Sequence, residues 1–177
     1  MLCALAALAQ GAWAQPFSER TLELGGETIR FAIREFAPNA NAVDDKAKLE
    51  PRSALETAKL LGRYLSAGSS EEAAMLSNSP RRRYEVFRDY RNAVGEEGFK
   101  QVFGEYFEPQ NRVVAEIAIG DHSLLVWDLK GANRYAGQFF VRIEDRTLLD
   151  DVPGPVRTQL RRILEAIRGG RLALPGR

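Results

Sequence analysis

The sequence predicts an α+β domain in which a helical segment packs on an antiparallel sheet. Residues 112–151 contain four apolar runs separated by short turn sequences, and connections this short join antiparallel neighbours. Helix patterns fill the segment before this region, and one more follows it. Because strands and helices are grouped along the chain and do not alternate, the pattern indicates α+β and not α/β architecture.

The four apolar runs are predicted to form a curved four-strand meander, with strands near 113–119, 124–129, 135–143 and 147–149. Successive residues of a strand point to opposite faces, so Val113, Ala115 and Ile117 are expected on one side and Glu116 on the other. We expect the apolar face to pack on helices. The mixed face is then left to water, a partner or a ligand.

A β-hairpin is predicted at 15–36, because Gly25 and Gly26 suit a tight turn between two apolar runs. This hairpin could extend the main sheet. Residues 37–52 have no periodic pattern and are rich in Pro, Asn, Ala and charge, which is typical of a linker. The α+β domain is expected at 53–168, followed by a loose tail at 169–177.

Helix start and stop signals divide the segment between the linker and the meander. A capping box at 53–56 begins a first helix, and a similar signal at 69–72 begins a short second one. Pro80 suits the first position of a third helix, which ends at Gly95. A fourth helix, ending before Pro109, carries a stripe that consists of Phe99, Val102, Phe103, Tyr106 and Phe107.

An amphipathic C-terminal helix is predicted after Pro155. Its apolar stripe consists of Val156, Leu160, Ile163, Leu164 and Ile167, and it ends at Gly169. From Val156 onward the chain carries six arginines and one glutamate, so this helix offers a basic surface.

Residues 1–14 are interpreted as a signal peptide. Leu2 to Ala9 form a short apolar run, and Ala12-Trp13-Ala14 supplies the small-x-small pattern that places cleavage before Gln15. The run is too short to span a bilayer, so no transmembrane segment is expected. Cys3, the only cysteine, would leave with the peptide. A periplasmic or secreted protein without disulfides, thiol nucleophile or Cys-ligated zinc is therefore predicted.

Composition and motifs exclude several classes of function. The formal net charge of +1 gives no global field to attract nucleic acid. The sequence has no Gly-rich phosphate loop, no nucleophile elbow and no metal-ligand spacing. We therefore expect no cofactor, no metal and no nucleic-acid partner, and we assign no catalytic residue.

The order of elements from Ser53 to Asp151 resembles the nuclear-transport-factor-2-like, or cystatin-like, fold, in which helices pack inside a curved sheet to make a cone. The resemblance covers roughly 100 residues and rests on element order alone. The N-terminal hairpin and the arginine-bearing C-terminal helix depart from that pattern. Enzymes and non-catalytic binding modules share this fold, so the resemblance implies a shape and leaves the function open.

Two groups of residues are candidates for binding. The aromatic residues Trp127, Phe139, Phe140 and Tyr106, with Tyr84 and Phe103, could line an apolar pocket for a small apolar ligand, or they could form the core. Arg81, Arg82 and Arg83 occupy the first turn of a helix, where cations oppose the macrodipole. They could bind an anionic surface or partner, or they could pair with Glu71, Glu72 and Glu85 as a surface cluster.

Acid/base chemistry has weaker candidates. His122, the only histidine, could be a base oriented by Asp121, or a solvated turn residue. Ser123 is its neighbour, and adjacent strand residues point to opposite faces, so a triad is rejected. Asp128, Asp150 and Asp151 could converge where strands end, or they could be capping and turn residues.

The sequence favours an exported, non-catalytic binding or accessory protein of the bacterial envelope with an apolar pocket or groove. One alternative is a small acid/base enzyme, isomerase-like or dehydratase-like, of the same fold. Another is an envelope assembly factor that contacts an envelope protein through the basic C-terminal helix. The oligomeric state is left open.

Overall fold

The computed structural model describes residues 15–42, 48–105, 107–108, 110–130 and 134–174. Within these residues the chain forms an α+β structure with six strands and four helices, which confirms the predicted class. The predicted signal peptide at 1–14 and Tyr106 lie outside the described residues.

The six strands form one antiparallel sheet, and each strand lies beside its neighbours in sequence. The strands are β1 Ser18–Leu24, β2 Glu27–Glu35, β3 Arg112–Ile119, β4 His122–Leu129, β5 Arg134–Ile143 and β6 Arg146–Leu149. The sheet is larger than the expected four-strand meander because the hairpin joins it: Arg34 of β2 pairs with Glu116 of β3, and Ile33 pairs with Ile117.

Backbone hydrogen bonds cover the outer edge of β6. Leu149 donates to the carbonyl of Leu76 at 2.7 Å and accepts from the amide of Asn78 at 2.9 Å. The segment 76–78 therefore lies along β6 as a short parallel partner. An edge that is paired in this way is not available to another chain.

The four helices are α1 Ala54–Ser66, α2 Ser70–Ala74, α3 Pro80–Glu105 and α4 Pro155–Arg168. The predicted capping box begins α1: the Ser53 hydroxyl accepts from the amide of Glu56 at 3.3 Å and donates to its carboxylate at 2.9 Å.

The long element α3 is broken at Gly95, whose backbone is non-helical at φ 77° and ψ 168°. The ring centroids of Phe87 and Phe103 are 5.9 Å apart, whereas a straight helix would separate these positions by about 24 Å. The chain therefore folds back at Gly95, and the two helices expected on either side of this glycine are the two arms of α3. Phe99, which is fully buried, packs against Phe87 and Tyr90 of the other arm.

Helices cover both faces of the sheet. The helices α1 to α3 pack on the face that carries Leu125, Trp127 and Phe140, and α4 packs on the face that carries Ile117 and Leu124. The expectation that the mixed face stays open is therefore wrong. The physical reason is β4, which is apolar on both sides and so needs a layer on each.

A β-bulge in β3 changes the expected alternation. Val113 pairs with Trp127, but the next pair is Ala115 with Val126, so Val114 is an extra residue. Val113 consequently lies in the core under α1 to α3, and Ala115 lies in the core under α4. The prediction that these two residues share a face is wrong because simple alternation does not include the bulge.

Gly137 of β5 allows α4 to approach the sheet closely. A Cβ atom at this position would lie 2.6 Å from Leu164 Cδ2 of α4 and 2.8 Å from Leu124 Cδ1 of β4.

A polar contact also joins α4 to the start of β2. Hydrogen bonds from Gln159 and Arg162 of α4 hold the pKa of Glu27 below its usual value. The Glu27 contact therefore contributes stability at neutral pH and loses it as the pH falls through the lowered pKa.

We expect Gly137→Ala to lower the free energy of unfolding by about 1–3 kcal/mol, because the added methyl group overpacks the contact between α4 and the sheet. The matched control is Gly104→Ala in α3, where the added methyl group would have no neighbouring atom within 4 Å. That change should be neutral or stabilise by up to about 1 kcal/mol. Urea unfolding measures both, and equal effects would contradict the close packing at Gly137.

Candidate functional site

The three aromatic candidates that the structure describes do not converge on a pocket. Trp127 and Phe140 are fully buried in the core under α1 to α3, where the Trp127 ring meets the edge of Phe107 at 5.6 Å. Phe139 lies on the opposite face, 5.3 Å below the guanidinium of Arg157. The positions of Trp127 and Phe140 favour the core-packing interpretation, and the fourth candidate, Tyr106, lies outside the described residues.

The structure separates the three arginines at the start of α3. Arg83 makes a two-point hydrogen bond with the carboxylate of Asp151, and its Nε lies 2.7 Å from Oδ2. Arg81 lies 3.5 Å from Glu85. Arg82 is exposed and has no ion pair within the described parts of the chain. Arg83 is therefore a tertiary contact, and only Arg81 and Arg82 are accessible to a partner.

A polar network attaches the loop before α3 to the end of β6. The Asp151 carboxylate also accepts from the Ser77 hydroxyl at 2.6 Å, and Asp150 accepts from the Asn78 amide at 2.9 Å. Nδ1 of His122 lies 3.0 Å from Asp150 Oδ2, so the carboxylate beside the histidine is Asp150 and not Asp121.

Asp128 does not join Asp150 and Asp151. It pairs with Tyr135 on β5, whereas Asp150 binds the carbonyl of Phe139, about 13 Å further along that strand. Asp128 instead lies 3.8 Å from Arg112. Among the described residues no group of three His, Cys, Asp or Glu side chains is placed to hold a metal ion.

A polar cavity of about 380 Å³, here called the corner cavity, lies on the α1-to-α3 face of the sheet. The start of α1, at Ser53 and Ala54, forms one wall. The other polar side chains among its lining residues belong to Arg34, Glu116, Asp121, His122, Ser123, Arg142 and Thr147. Its volume is near the lower end of the range for small-molecule sites, roughly 300–1,000 Å³.

Strand register brings these side chains together. Arg34 pairs with Glu116, Ala118 pairs with Ser123, and Arg142 pairs with Thr147, so the lining residues follow neighbouring strands on one face. The alternation of β3 placed Glu116 on the mixed face correctly. Arg34 is not a sequence candidate, because its partner Glu116 lies 82 residues further along the chain. Ser123 enters the sequence analysis only as the neighbour of His122.

The helix α1 begins at the cavity because β6 fixes its first turn. The amide of Thr147 donates to the carbonyl of Pro51 at 2.6 Å, and its hydroxyl donates to the carbonyl of Arg52 at 3.1 Å. Thr57 donates in turn to the carbonyl of Thr147 at 2.6 Å. Helical cover on this face therefore starts at Ser53 and leaves the polar corner of the sheet accessible.

The charged groups of the cavity differ in how they are paired. Glu116, which is 6% exposed, accepts two hydrogen bonds from Arg34 at 2.9 and 2.5 Å. Arg142 and Asp121 are exposed, and neither side chain has a partner in the described part of the structure. Ser123 is 8% exposed, and its hydroxyl has no hydrogen-bond partner among the described residues. The cavity therefore has one ion pair, two free charges of opposite sign and one free hydroxyl.

A second cavity, here called the outer groove, is an open and mainly apolar depression of about 480 Å³ between α2 and the start of α3. Met75, Tyr84 and Pro80 form its apolar surface, and Glu72 and Arg81 are at its rim. Met75 is 59% exposed.

No helix in the described ranges is long and apolar enough to cross a membrane. Comparison of the chain with models of protein families, with curated proteins and with solved structures found no match. A function is therefore inferred from the geometry of the two cavities.

We expect Arg83→Ala to lower the free energy of unfolding by about 1–3 kcal/mol, because it leaves the largely buried carboxylate of Asp151 without its charged donor. The control is the adjacent and exposed Arg82→Ala, which should change stability by less than about 0.5 kcal/mol. Thermal and urea unfolding test the pair. Equal and small effects would mean that Arg83, like Arg82, is a solvated surface residue.

Proposed function

We propose that this protein is an exported, non-catalytic binding protein that holds a small polar molecule in the corner cavity. The observation that carries the proposal is the free hydroxyl of Ser123 in the cavity. Most buried hydroxyls are hydrogen-bonded within the protein. The hydroxyl of Ser123 has no partner among the described residues, and its oxygen is reached by solvent from the cavity. A ligand that accepts or donates at Ser123 would take the place of water there.

Other buried hydroxyls differ from that of Ser123 in their hydrogen bonding or in their access to solvent. Those of Thr57, Ser77 and Thr147 donate to protein oxygens. Ser70 also lacks a partner, but its oxygen is sealed from solvent. Ser123 combines burial with access to a cavity, which supports a role in binding.

Binding is better supported than acid/base catalysis. The buried carboxylate of Glu116 is already engaged by Arg34, and Nδ1 of His122 is engaged by Asp150. Ser123 is not hydrogen-bonded to His122. The alternative of a small enzyme would rest on Nε2 of His122, because the contact of Nδ1 with Asp150 leaves that nitrogen free to exchange a proton, but no nucleophile is hydrogen-bonded to His122 among the described residues.

An assembly role for α4 has less support. The apolar stripe of α4 packs on the sheet. Arg162 binds Glu27 and the carbonyl of Leu24, and Arg168 binds Glu165 and the carbonyl of Tyr135. Two of the four arginines of α4 are therefore bonded within the chain, and a third, Arg157, lies over the ring of Phe139.

A second candidate is contact with an envelope protein through the outer groove. The large exposed area of Met75, next to Tyr84 and the accessible Arg81, favours it. This contact would retain the predicted apolar groove and one of the three predicted arginines, Arg81. It does not compete with a ligand in the corner cavity, because the two cavities share no lining residue.

We expect Ser123→Leu to abolish ligand binding, because the larger apolar side chain removes the hydroxyl and fills the cavity floor. Native mass spectrometry of protein isolated from its own compartment should show a bound small molecule in the wild type and none in the variant. The control is Thr21→Leu on the exposed strand β1, which should retain the ligand. A wild-type protein that carries no small molecule, and binds none when offered, would contradict the proposal.

Export supplies a further test. Residues 1–14 should be removed when the chain is made in a secreting bacterial host, so the intact mass should correspond to a protein that begins at Gln15. A cytosolic product that retains Trp13 would contradict the proposed compartment.

A further inference from the structure

We infer that the ligand of the corner cavity is a neutral polyhydroxylated ring of the monosaccharide class. This inference rests on the proposed function and names the ligand chemistry of the same site. It follows from the buried polar groups on the sheet, from the ring of Phe17 at the edge of the cavity, and from the way in which the charges of the cavity compensate each other.

The charges of the cavity give a charged ligand no reason to prefer it. Arg142 and Asp121 are neighbours, because the amide of Arg142 donates to the carbonyl of Asp121 at 2.8 Å, and both side chains are exposed. Exposed charges keep their water and are screened by salt, so these two contribute little to selectivity. The buried carboxylate of Glu116 is neutralised by Arg34. A charged ligand would lose hydration without meeting an uncompensated buried charge among the described lining residues, which favours a neutral one.

The ion pair of Arg34 and Glu116 leaves both a donor and an acceptor free. Nε and Nη2 of Arg34 donate to Oε2 of Glu116, so Nη1 of Arg34 and Oε1 of Glu116 have no partner within the described residues. An ammonium group has donors only and a carboxylate has acceptors only, so neither can use both positions. A hydroxyl donates and accepts, and a ligand with several hydroxyls can therefore use both.

Ser123 adds a third polar position on the same face of the sheet. It pairs with Ala118, two residues from Glu116, so Ser123 and Glu116 are diagonal neighbours about 7–8 Å apart. Both are buried, at 8% and 6% exposed, and the sheet fixes their spacing. One compact molecule with several hydroxyls can reach both, and a cavity of about 380 Å³ suits a ligand of one ring.

Phe17 supplies an apolar surface beside these polar groups. Its ring is 44% exposed and lines the cavity. The guanidinium carbon of Arg34 lies 4.6 Å from the ring centroid of Phe17 and 5.5 Å from that of Phe36, so Arg34 is held among aromatic rings next to Glu116. A sugar ring has hydroxyls at its rim and C–H groups on its faces. Its hydroxyls can bond to the buried polar groups while one face packs on Phe17.

Isothermal titration calorimetry with extensively dialysed protein tests this inference. The probes are glucose, galactose, mannose, ribose and N-acetylglucosamine. The controls are glycerol, which has hydroxyls but no ring, cyclohexanol, which has a ring but one hydroxyl, and propionate, which is charged. We expect at least one monosaccharide to bind roughly tenfold more tightly than any control, because it alone uses the polar groups and Phe17 together. Its affinity should be the same at low and high salt, because a neutral ligand offers no charge for salt to screen.

Single substitutions locate the sugar in the corner cavity. Phe17→Ala should weaken monosaccharide binding roughly tenfold, because it removes the apolar surface. Ser123→Ala should weaken binding to a similar extent, because it removes a hydrogen-bonding hydroxyl. The matched control for Phe17→Ala is Val152→Ala, which shortens an exposed apolar side chain that does not line the cavity. This control should bind as the wild type does, and melting curves show that all three variants are folded at the temperature of the titration.

The outcomes separate this inference from the proposed function. Glycerol, cyclohexanol or propionate binding as tightly as any monosaccharide, and not binding to Ser123→Leu, would overturn the sugar and leave the binding function standing. A co-purified small molecule that is not a sugar would do the same. Monosaccharide binding that weakens as salt is raised, or that neither Phe17→Ala nor Ser123→Ala weakens, would also overturn the inference. A protein that binds none of the probes and has no co-purified ligand would overturn both.

Discussion

The structure depends on one strand that is buried on both sides. Leu124, Leu125, Val126 and Trp127 of β4 are all fully buried, so consecutive residues point into two different cores. A strand of this kind is stable only between two layers. The arms of α3 with α1 and α2 supply one layer, and α4 supplies the other. The chain needs helices both before and after the meander for this reason.

The candidate site lies where the apolar cover ends. Along the α1-to-α3 face, the apolar residues Trp127 and Leu125 of β4 give way to Ser123. The neighbouring strands change in the same way, to Glu116 and Arg142. Thr147 holds the first turn of α1 at this boundary. The same hydrogen bonds therefore fix where the helical cover of the core begins and position one wall of the cavity. A binding site at such a boundary combines a rigid scaffold with polar groups that solvent can reach.

Local patterns predicted the α+β class and several turn and cap positions, because turns, caps and periodicity are encoded by neighbouring residues. The capping box at Ser53 and the helix break at Gly95 are examples. The bulge at Val114 and the pairing of Arg34 with Glu116 could not be predicted in this way, since both depend on strand register between distant segments. The sequence alone could not distinguish a pocket from core packing for Trp127 and Phe140, because these residues fit a core pattern equally well. Of the three arginines, Arg83 could be distinguished from its neighbours only when Asp151 was located beside it.

The pairing of β2 with β3 also has a consequence for biosynthesis. Arg34 and Glu116 are 82 residues apart in sequence. At a translation rate of roughly 5–20 residues per second, β3 is therefore synthesised about 4 to 16 s after the hairpin of β1 and β2. During that interval both edges of the hairpin are open to any extended chain nearby. Glu19, Arg20 and Glu23 on β1, with Arg30 on β2, place charges along the waiting hairpin, and charged edges discourage intermolecular strand pairing. We therefore expect these charges to lower the chance that the hairpin pairs with another chain before β3 is made.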